Sequence, residues 1–257
     1  MAASMKHQVR SQAPSKRDFL DMSSITKAEL DGLLALATRI KAELKAGLEH
    51  PYLRGKTLAM IFQKPSLRTR ITFETGMAQL GGHAIYLAPN DIGIGERESV
   101  KDVARNMAHS WIEAAALAGF ELRLACPKGY EPDKQFMQMF RRAECGILTN
   151  DPIEAVKGAD VVYTDTWTSM GREKEAAQRR KDFKGFQVNA ALIKQATPGA
   201  IVMHCLPAHR GEEITDDVID GPRSAVLDEA ENRLHAQKAV MVWLLRPEVL
   251  QIASAQD

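Results

Sequence analysis

The segment QKPSLRTR, residues 63–70, places three cationic side chains and two hydroxyl groups directly after the apolar run TLAMIF. Ser66, Arg68 and Thr69 fall at a predicted helix start, where unpaired backbone N–H groups and the helix dipole favour an anion such as phosphate. The alternative is a capped helix that exposes its arginines to solvent. Because cations oppose the dipole at a helix N-terminus, we favour the anion site.

Two more polar segments follow apolar runs. Asp165 ends ADVVYTD and precedes the turn-prone residues 169–171. A carboxylate there could hold an ammonium group, or it could cap a helix. AIVMHC leads into a proline-bearing turn, so that residues 204–210 hold a thiol, two imidazoles and a guanidinium. His204 and Cys205 could equally be buried strand residues.

The elements that must position these segments alternate between strand and helix. Short apolar runs predict strands at 56–62, 83–87, 121–126, 159–165 and 200–206. Helical patterns occupy 25–44, 66–80, 109–120, 136–145, 189–197 and 229–245, and Thr26 with Glu29 predicts a capping box for the first. This alternation predicts an α/β fold with mainly parallel sheets. Ligands of such sheets collect beyond the carboxyl ends of the strands, where the three polar segments fall.

Composition excludes several classes of protein. The 257 residues, 45% hydrophobic and 26% charged, suit one large or two modest soluble domains. A net charge of +1 gives no global field for nucleic acid or a membrane surface. No apolar run reaches the ~20 residues of a membrane span. Three cysteines without CxxC spacing predict a reducing compartment, the cytoplasm, and no zinc or disulfide framework.

Three motifs together resemble one family. SLRTR resembles the Ser-Thr-Arg-Thr-Arg carbamoyl phosphate motif of the carbamoyltransferases. DVVYTDTWTSMG and HCLPAHRGEEIT resemble signatures of the branch of that family that acts on ornithine. The resemblance runs from about Arg17 to the C-terminus with one large interruption. A nucleotide-binding module is disfavoured because no GxGxxG or Walker-type loop occurs.

The resemblance implies transfer of a carbamoyl group from carbamoyl phosphate to the δ-amine of L-ornithine, giving L-citrulline and phosphate without metal or organic cofactor. It implies two α/β domains, each a mainly parallel sheet flanked by helices. The carbamoyl phosphate domain would comprise residues 1–105 and a C-terminal helix at about 236–257 that packs back on it. Residues 106–235 would bind ornithine. A homotrimer, or a multiple of trimers, is also implied.

The resemblance also assigns site residues. Those for carbamoyl phosphate are Ser66, Leu67, Arg68, Thr69, Cys205, Leu206 and Arg233, and those for ornithine are Asn106, Asp165, Ser169 and Met170. Arg68, Cys205 and Arg233 would be catalytic. Leu67 replaces the usual threonine, which is tolerable if this position donates mainly its backbone N–H.

One departure from the family lies between Arg105 and Asn106. The family's His-Pro-x-Gln motif and a further phosphate-contacting arginine are absent. The stretch of strands and helices that the family has at this position is absent as well. Either the protein lacks this block or the sequence as written omits it, and we favour omission because losing a central strand leaves sheet edges unpaired. A real loss predicts a non-catalytic ligand-binding protein. Another alternative is a transferase for an acylated ornithine, against which Asp165 and the SMG segment argue.

Overall fold

The computed structural model describes residues 18–62, 66–87, 101–168 and 176–249, with only the backbone described at 101–106. The described residues form six strands and nine α-helices, after a 3₁₀ turn at Met22–Ser24. The strands are β1 Thr57–Ile61, β2 His83–Leu87, β3 Leu122–Ala125, β4 Gly146–Thr149, β5 Val161–Thr164 and β6 Ile201–His204. The helices are α1 Lys27–Lys45, α2 Leu67–Gln79, α3 Lys101–Ala118, α4 Lys134–Arg142, α5 Pro152–Val156, α6 Ala176–Asp182, α7 Ala190–Ile193, α8 Asp216–Ile219 and α9 Val226–Leu245.

Helix α1 begins as its sequence predicts. The Thr26 hydroxyl accepts the Glu29 backbone N–H at 3.2 Å, and the Glu29 carboxylate accepts the Thr26 backbone N–H at 2.8 Å. This capping box satisfies donors that the first helical turn leaves without partners. The predicted cap of α1 is therefore confirmed.

Strand β4 was not predicted, and the helix before it ends earlier than its pattern indicated. Helix α4 stops at Arg142 rather than continuing to residue 145, because Glu144 has a left-handed backbone with φ 49°. Gly146, with φ 147°, then opens β4 where a Cβ atom would overlap the Leu122 carbonyl oxygen. The two apolar residues of β4, Ile147 and Leu148, form too short an apolar run to predict a strand by themselves.

Every strand pair is parallel, as predicted. The pairs are β1 with β2, β3 with β4, and β5 with β6, each in its own two-stranded sheet among the described residues. Several strand residues remain exposed, including Ile61 at 54%, Val161 at 47% and Ile201 at 39%. Parallel strands are normally covered on both faces. The described strands are therefore less covered by neighbouring elements than parallel strands usually are.

Helix α9 joins the two principal cores. Its first residue, Val226, is buried with Val202 and Ile214 around β5 and β6. Its C-terminal half buries Val242 and Trp243 in a second core formed with α1 and α2. The predicted packing of the C-terminal helix on the first part of the chain is confirmed. A third, smaller cluster lies between α3 and α4.

Helix α3 runs without a break through Arg105 and Asn106. The family resemblance places the missing block between these two residues, and the helix is continuous across that position. Among the described residues, no helix combines the length and hydropathy that a membrane crossing needs.

Candidate functional site

The N-terminus of α2 has the features of an anion cradle. Ser66 is the N-cap residue, but its side chain does not cap the helix. Its hydroxyl instead donates to the Thr69 hydroxyl at 2.8 Å. The first-turn N–H groups consequently lack a side-chain cap and, with the helix dipole, favour a bound anion. Leu67 is 72% exposed, so its side chain contributes little packing and its backbone N–H is the useful group.

The two arginines of this turn have different environments. Arg70 donates to the Glu74 carboxylate at 2.9 Å, and its guanidinium lies 4.0 Å from the centre of the Tyr86 ring. Arg68 instead reaches across the molecule to the Leu206 carbonyl oxygen, at 2.5 Å. Arg68 is therefore the arginine that links the predicted phosphate cradle to the loop after β6.

The Cys205 thiol lies against the carboxylate of Asp165, donating to Oδ1 at 3.0 Å. Burial, reinforced by the negative charge of Asp165, raises the pKa of the Cys205 thiol to about 12. Burial also raises the pKa of Tyr163, which neighbours the same thiol. Cys205 is thus a protonated hydrogen-bond donor near neutral pH, and not a thiolate nucleophile.

Helix α9 supplies two charged side chains to this loop, one turn apart. The Arg233 guanidinium donates to the Cys205 carbonyl oxygen at 3.0 Å. The Glu229 carboxylate accepts the His204 backbone N–H at 3.0 Å. Burial raises the pKa of Glu229, against the opposing effect of that N–H donor. Arg233 is therefore an inward-facing group and not a surface arginine.

Five of the predicted residues form one connected group: Arg68, Asp165, Cys205, Leu206 and Arg233. Ser66 and Thr69 adjoin it through the first turn of α2.

The remaining predicted residues are placed only in part. The backbone of Asn106 lies in α3, and its side chain is outside the described residues, as are Ser169 and Met170. Arg210, noted in the same turn as Cys205, instead pairs with Asp216 and Asp220 at the surface.

Sequence reasoning missed three polar groups of this region. Tyr163 lies on β5, two residues before Asp165, which follows the strand. Period-two alternation in DVVYTD could have placed both side chains on one face. Glu213 is fully buried and contacts His204, while Glu229 holds the His204 backbone. The repeated acids in HRGEE carried no signal that one of them is buried.

Neither of two cavities coincides with this group. One of about 430 Å³ is lined by His50, Gln79 and their neighbours, and another of about 490 Å³ lies beside Phe140. Among the described residues, one group could hold a metal ion: possible ligand atoms of His209, Glu212 and Glu213 lie within 4.8 Å of one another. Glu212 is already paired with Arg180, and Glu213 with His204.

Comparison with protein families divides the chain into two matched parts. Residues 17–118 match the carbamoyl-P binding domain of aspartate/ornithine carbamoyltransferase, and residues 97–244 match its Asp/Orn binding domain. The two matches overlap at 97–118, the region of helix α3.

Curated relatives and solved structures agree. Ornithine carbamoyltransferase of Geobacter sulfurreducens is 42% identical, covering 90% of this chain and 99% of the relative. That of Pelobacter propionicus is 43% identical with the same coverage. The structure of the Pyrococcus furiosus enzyme aligns with a TM-score of 0.79 and 39% identity, covering 88% of this chain and 96% of that one. The Thermus thermophilus structure gives 0.75 and 38%, covering 89% and 99%.

These alignments contain a large internal gap. The alignment to the Geobacter relative spans 301 positions, whereas 90% of 257 residues is about 231, so about 70 positions of the relative have no counterpart here. A gap of this size is consistent with the missing block of strands and helices predicted from the motifs. With two domain models matched in order and relatives above 40% identity, the chain belongs to the aspartate/ornithine carbamoyltransferase family.

Proposed function

We propose that this protein transfers the carbamoyl group of carbamoyl phosphate to the δ-amine of L-ornithine, giving L-citrulline and phosphate. The observation that carries the proposal is the contact between Arg68 and the Leu206 carbonyl. It joins the candidate anion cradle on α2 to a loop that carries Cys205 beside Asp165, an arrangement that suits transfer from an anionic donor to an amino-acid acceptor. The names of the relatives supply the donor and acceptor.

The phosphate end of the donor would lie at the start of α2. Backbone N–H groups there, with Ser66, Arg68 and Thr69, supply fixed donors to phosphate oxygens. In this proposal the Arg68 and Arg233 guanidinium groups would stabilise the negative charge that develops on the carbamoyl oxygen and the departing phosphate. Preorganised donors of this kind stabilise the transition state because they need no reorganisation during the reaction.

The acceptor would lie between Asp165 and the Leu206 carbonyl. Asp165, with Asn106, Ser169 and Met170 by family analogy, would hold the amino-acid end of ornithine. The δ-amine attacks as the neutral form, because its lone pair must be free. The Leu206 carbonyl has a second lone pair that can accept an amine N–H while Arg68 occupies the first.

The reaction then forms one C–N bond and breaks one C–O bond. The δ-nitrogen attacks the carbamoyl carbon, its proton passes to an oxygen of the phosphate group, and phosphate departs with the electron pair of the broken bond. The Cys205 thiol donates a hydrogen bond to the Asp165 carboxylate and does not attack carbon.

The test is colorimetric citrulline formation from carbamoyl phosphate and L-ornithine. Arg68→Ala is expected to lower kcat/KM for carbamoyl phosphate about 10³-fold, because a charged donor to the transition state is removed. Arg70→Gln is the matched control from the same helical turn and should retain activity within about tenfold. Full activity in Arg68→Ala would contradict the role assigned to this arginine.

A second candidate is a binding protein without catalysis, which the gap of about 70 positions favours. Calorimetry with carbamoyl phosphate separates the two, because binding without citrulline formation indicates the second candidate. Replacing L-ornithine by Nα-acetyl-L-ornithine in the same assay tests the acylated-substrate alternative.

The domain boundary and the assembly belong to the same proposal. The carbamoyl phosphate domain comprises residues 1–105 and the C-terminal helix, and 106–235 form the ornithine domain. By family analogy the protein would form a homotrimer or a multiple of it. Sedimentation equilibrium measures this directly. The three cysteines are free, which supports a reducing compartment, the cytoplasm.

A further inference from the structure

We propose that His204 and Glu213 form a buried couple that fixes the Leu206 main chain and thereby sets the rate of carbamoyl transfer, without contacting substrate. This inference rests on the proposed function for its kinetic consequence. Its structural part, the control of the Leu206 backbone by His204, stands on the hydrogen bonds alone.

The hydrogen bonds of His204 define which ring nitrogen carries the proton. Nδ1 accepts the Leu206 backbone N–H at 2.8 Å, so this nitrogen is unprotonated. The proton is therefore on Nε2, which lies 3.1 Å from the Glu213 carboxylate oxygen Oε1 and donates to it. A carboxylate on one imidazole nitrogen fixes the tautomer and the ring orientation at the other.

Glu213 is an unusual residue to bury. Its side chain and that of His204 are both 0% exposed. A carboxylate removed from water is unfavourable unless hydrogen bonds replace those it made with solvent. Here Oε1 also accepts the His209 backbone N–H at 2.6 Å. The carboxylate thus contacts His204 at the end of β6 and His209 within the turn at 205–212.

The couple acts on a backbone that would otherwise relax. Leu206 has φ 59°, a left-handed conformation that is unfavourable for a residue with a Cβ atom. Its N–H is held by His204 on one side, and its carbonyl oxygen is held by Arg68 on the other. The preceding carbonyl, of Cys205, is held by Arg233.

Loss of the His204 acceptor would therefore release one end of this peptide group. The Leu206 carbonyl and the Cys205 thiol would move relative to Arg68 and Asp165. A displacement of about 1 Å at a reacting centre costs about 100-fold in rate. His204 and Glu213 are accordingly positioning residues.

Two substitutions at His204 separate positioning from simple packing. His204→Asn can place its amide oxygen where Nδ1 lies and keep the bond from Leu206, but it loses contact with Glu213. His204→Gln can place its amide nitrogen where Nε2 lies and keep the bond to Glu213, but it loses Leu206. The inference predicts that Asn preserves function better than Gln. A role limited to satisfying the buried carboxylate predicts the reverse order.

The first readout is steady-state citrulline formation. His204→Gln is expected to lower kcat about 100-fold while KM for carbamoyl phosphate changes by less than about threefold. His204→Asn should remain within about tenfold of the wild type. His209→Gln, the same substitution at an exposed histidine of this turn, is the control and should leave kcat unchanged. Equal losses in the two His204 variants would overturn the inference.

The second readout does not depend on activity. Exchange of the Leu206 amide hydrogen should be at least about 100-fold faster in His204→Gln than in wild type, and nearly unchanged in His204→Asn. If the wild type forms no citrulline, the proposed function fails while this measurement still decides the structural part. Unchanged Leu206 exchange in His204→Gln would overturn it.

Substitutions at Glu213 provide an independent pair if the His204 variants do not fold. Glu213→Gln keeps an amide oxygen that can accept from Nε2 and from the His209 N–H, so slow Leu206 exchange and kcat within about tenfold are expected. Glu213→Leu removes both acceptors and should accelerate Leu206 exchange although His204 is present. Equal exchange in the two Glu213 variants would contradict the proposed couple.

Discussion

Lys238 is fully buried, at 0% exposure, where α9 packs against α1 and α2. Its ammonium donates to His50 Nε2 at 2.5 Å and to Gln79 Oε1 at 2.9 Å. The negative charge of Glu43 attracts it, but burial dominates and lowers the pKa of Lys238 from 10.5 to about 8. We predict that Lys238→Met changes how the stability of the protein depends on pH.

The magnitude follows from the pKa difference. A lowering of about 2.5, at about 1.4 kcal/mol for each unit, corresponds to about 3.5 kcal/mol in full, of which about 3 kcal/mol is reached by pH 10.5. Between pH 8 and 10.5 the unfolded chain still holds a proton that native Lys238 has released. The free energy of unfolding of the wild type therefore rises with pH across this window, by about 3 kcal/mol from this residue. Below pH 8 the cost of burying the charge is fully present.

The assay is urea denaturation of wild type and Lys238→Met at intervals from pH 7 to 10.5. The difference in unfolding free energy, wild type minus variant, should be constant below about pH 7.5 and then increase by about 3 kcal/mol. Lys27→Met, at a side chain that is 60% exposed, should show a constant difference throughout. A constant difference for Lys238→Met, or one that decreases with pH, would refute the buried-charge argument.

The remaining predictions concern the thiol and the missing block. Because burial raises the pKa of Cys205 to about 12, alkylation by iodoacetamide at pH 7.5, followed by peptide mass mapping, should be at least about 100-fold slower than for free cysteine. Rapid labelling would contradict a protonated, partly buried thiol. Inserting the corresponding segment of the Geobacter relative between Arg105 and Asn106 should cover strand residues such as Ile61 and Val161, raise Tm by at least about 5 °C, and increase citrulline formation. The reference for this comparison is a preparation of intact mass 28.4 kDa, and a larger mass would show that the protein already contains the block.

Much of the fold was predictable because its signals are local. The Thr26 cap and the apolar runs of β1, β2, β5 and β6 depend on neighbouring residues, and each lies where its pattern placed it. Parallel pairing followed from the alternation of strands and helices. Strand β4 escaped prediction because its apolar run is only Ile147 and Leu148, and because its start depends on a contact between Gly146 and Leu122.

The site was predictable in its residue types but not in its connections. Three motifs indicated Arg68, Asp165 and Cys205 as candidates. Their spacing in sequence, from 68 to 205, carries no information about which side chains touch. The distinction between Arg68, which reaches Leu206, and Arg70, which Glu74 and Tyr86 retain, depends on how α2 packs against β2.

The sequence by itself determined the family and the α/β class, and it indicated α2 as the candidate anion site, because motifs and periodicity are properties of short segments. Tertiary structure alone decided the protonation of Cys205, the burial of Glu213 and the inward direction of Arg233. Each of these depends on desolvation and on partners distant in the chain. The electrostatic energy of a group is set by the atoms around it in space, and those are known only once the chain has folded.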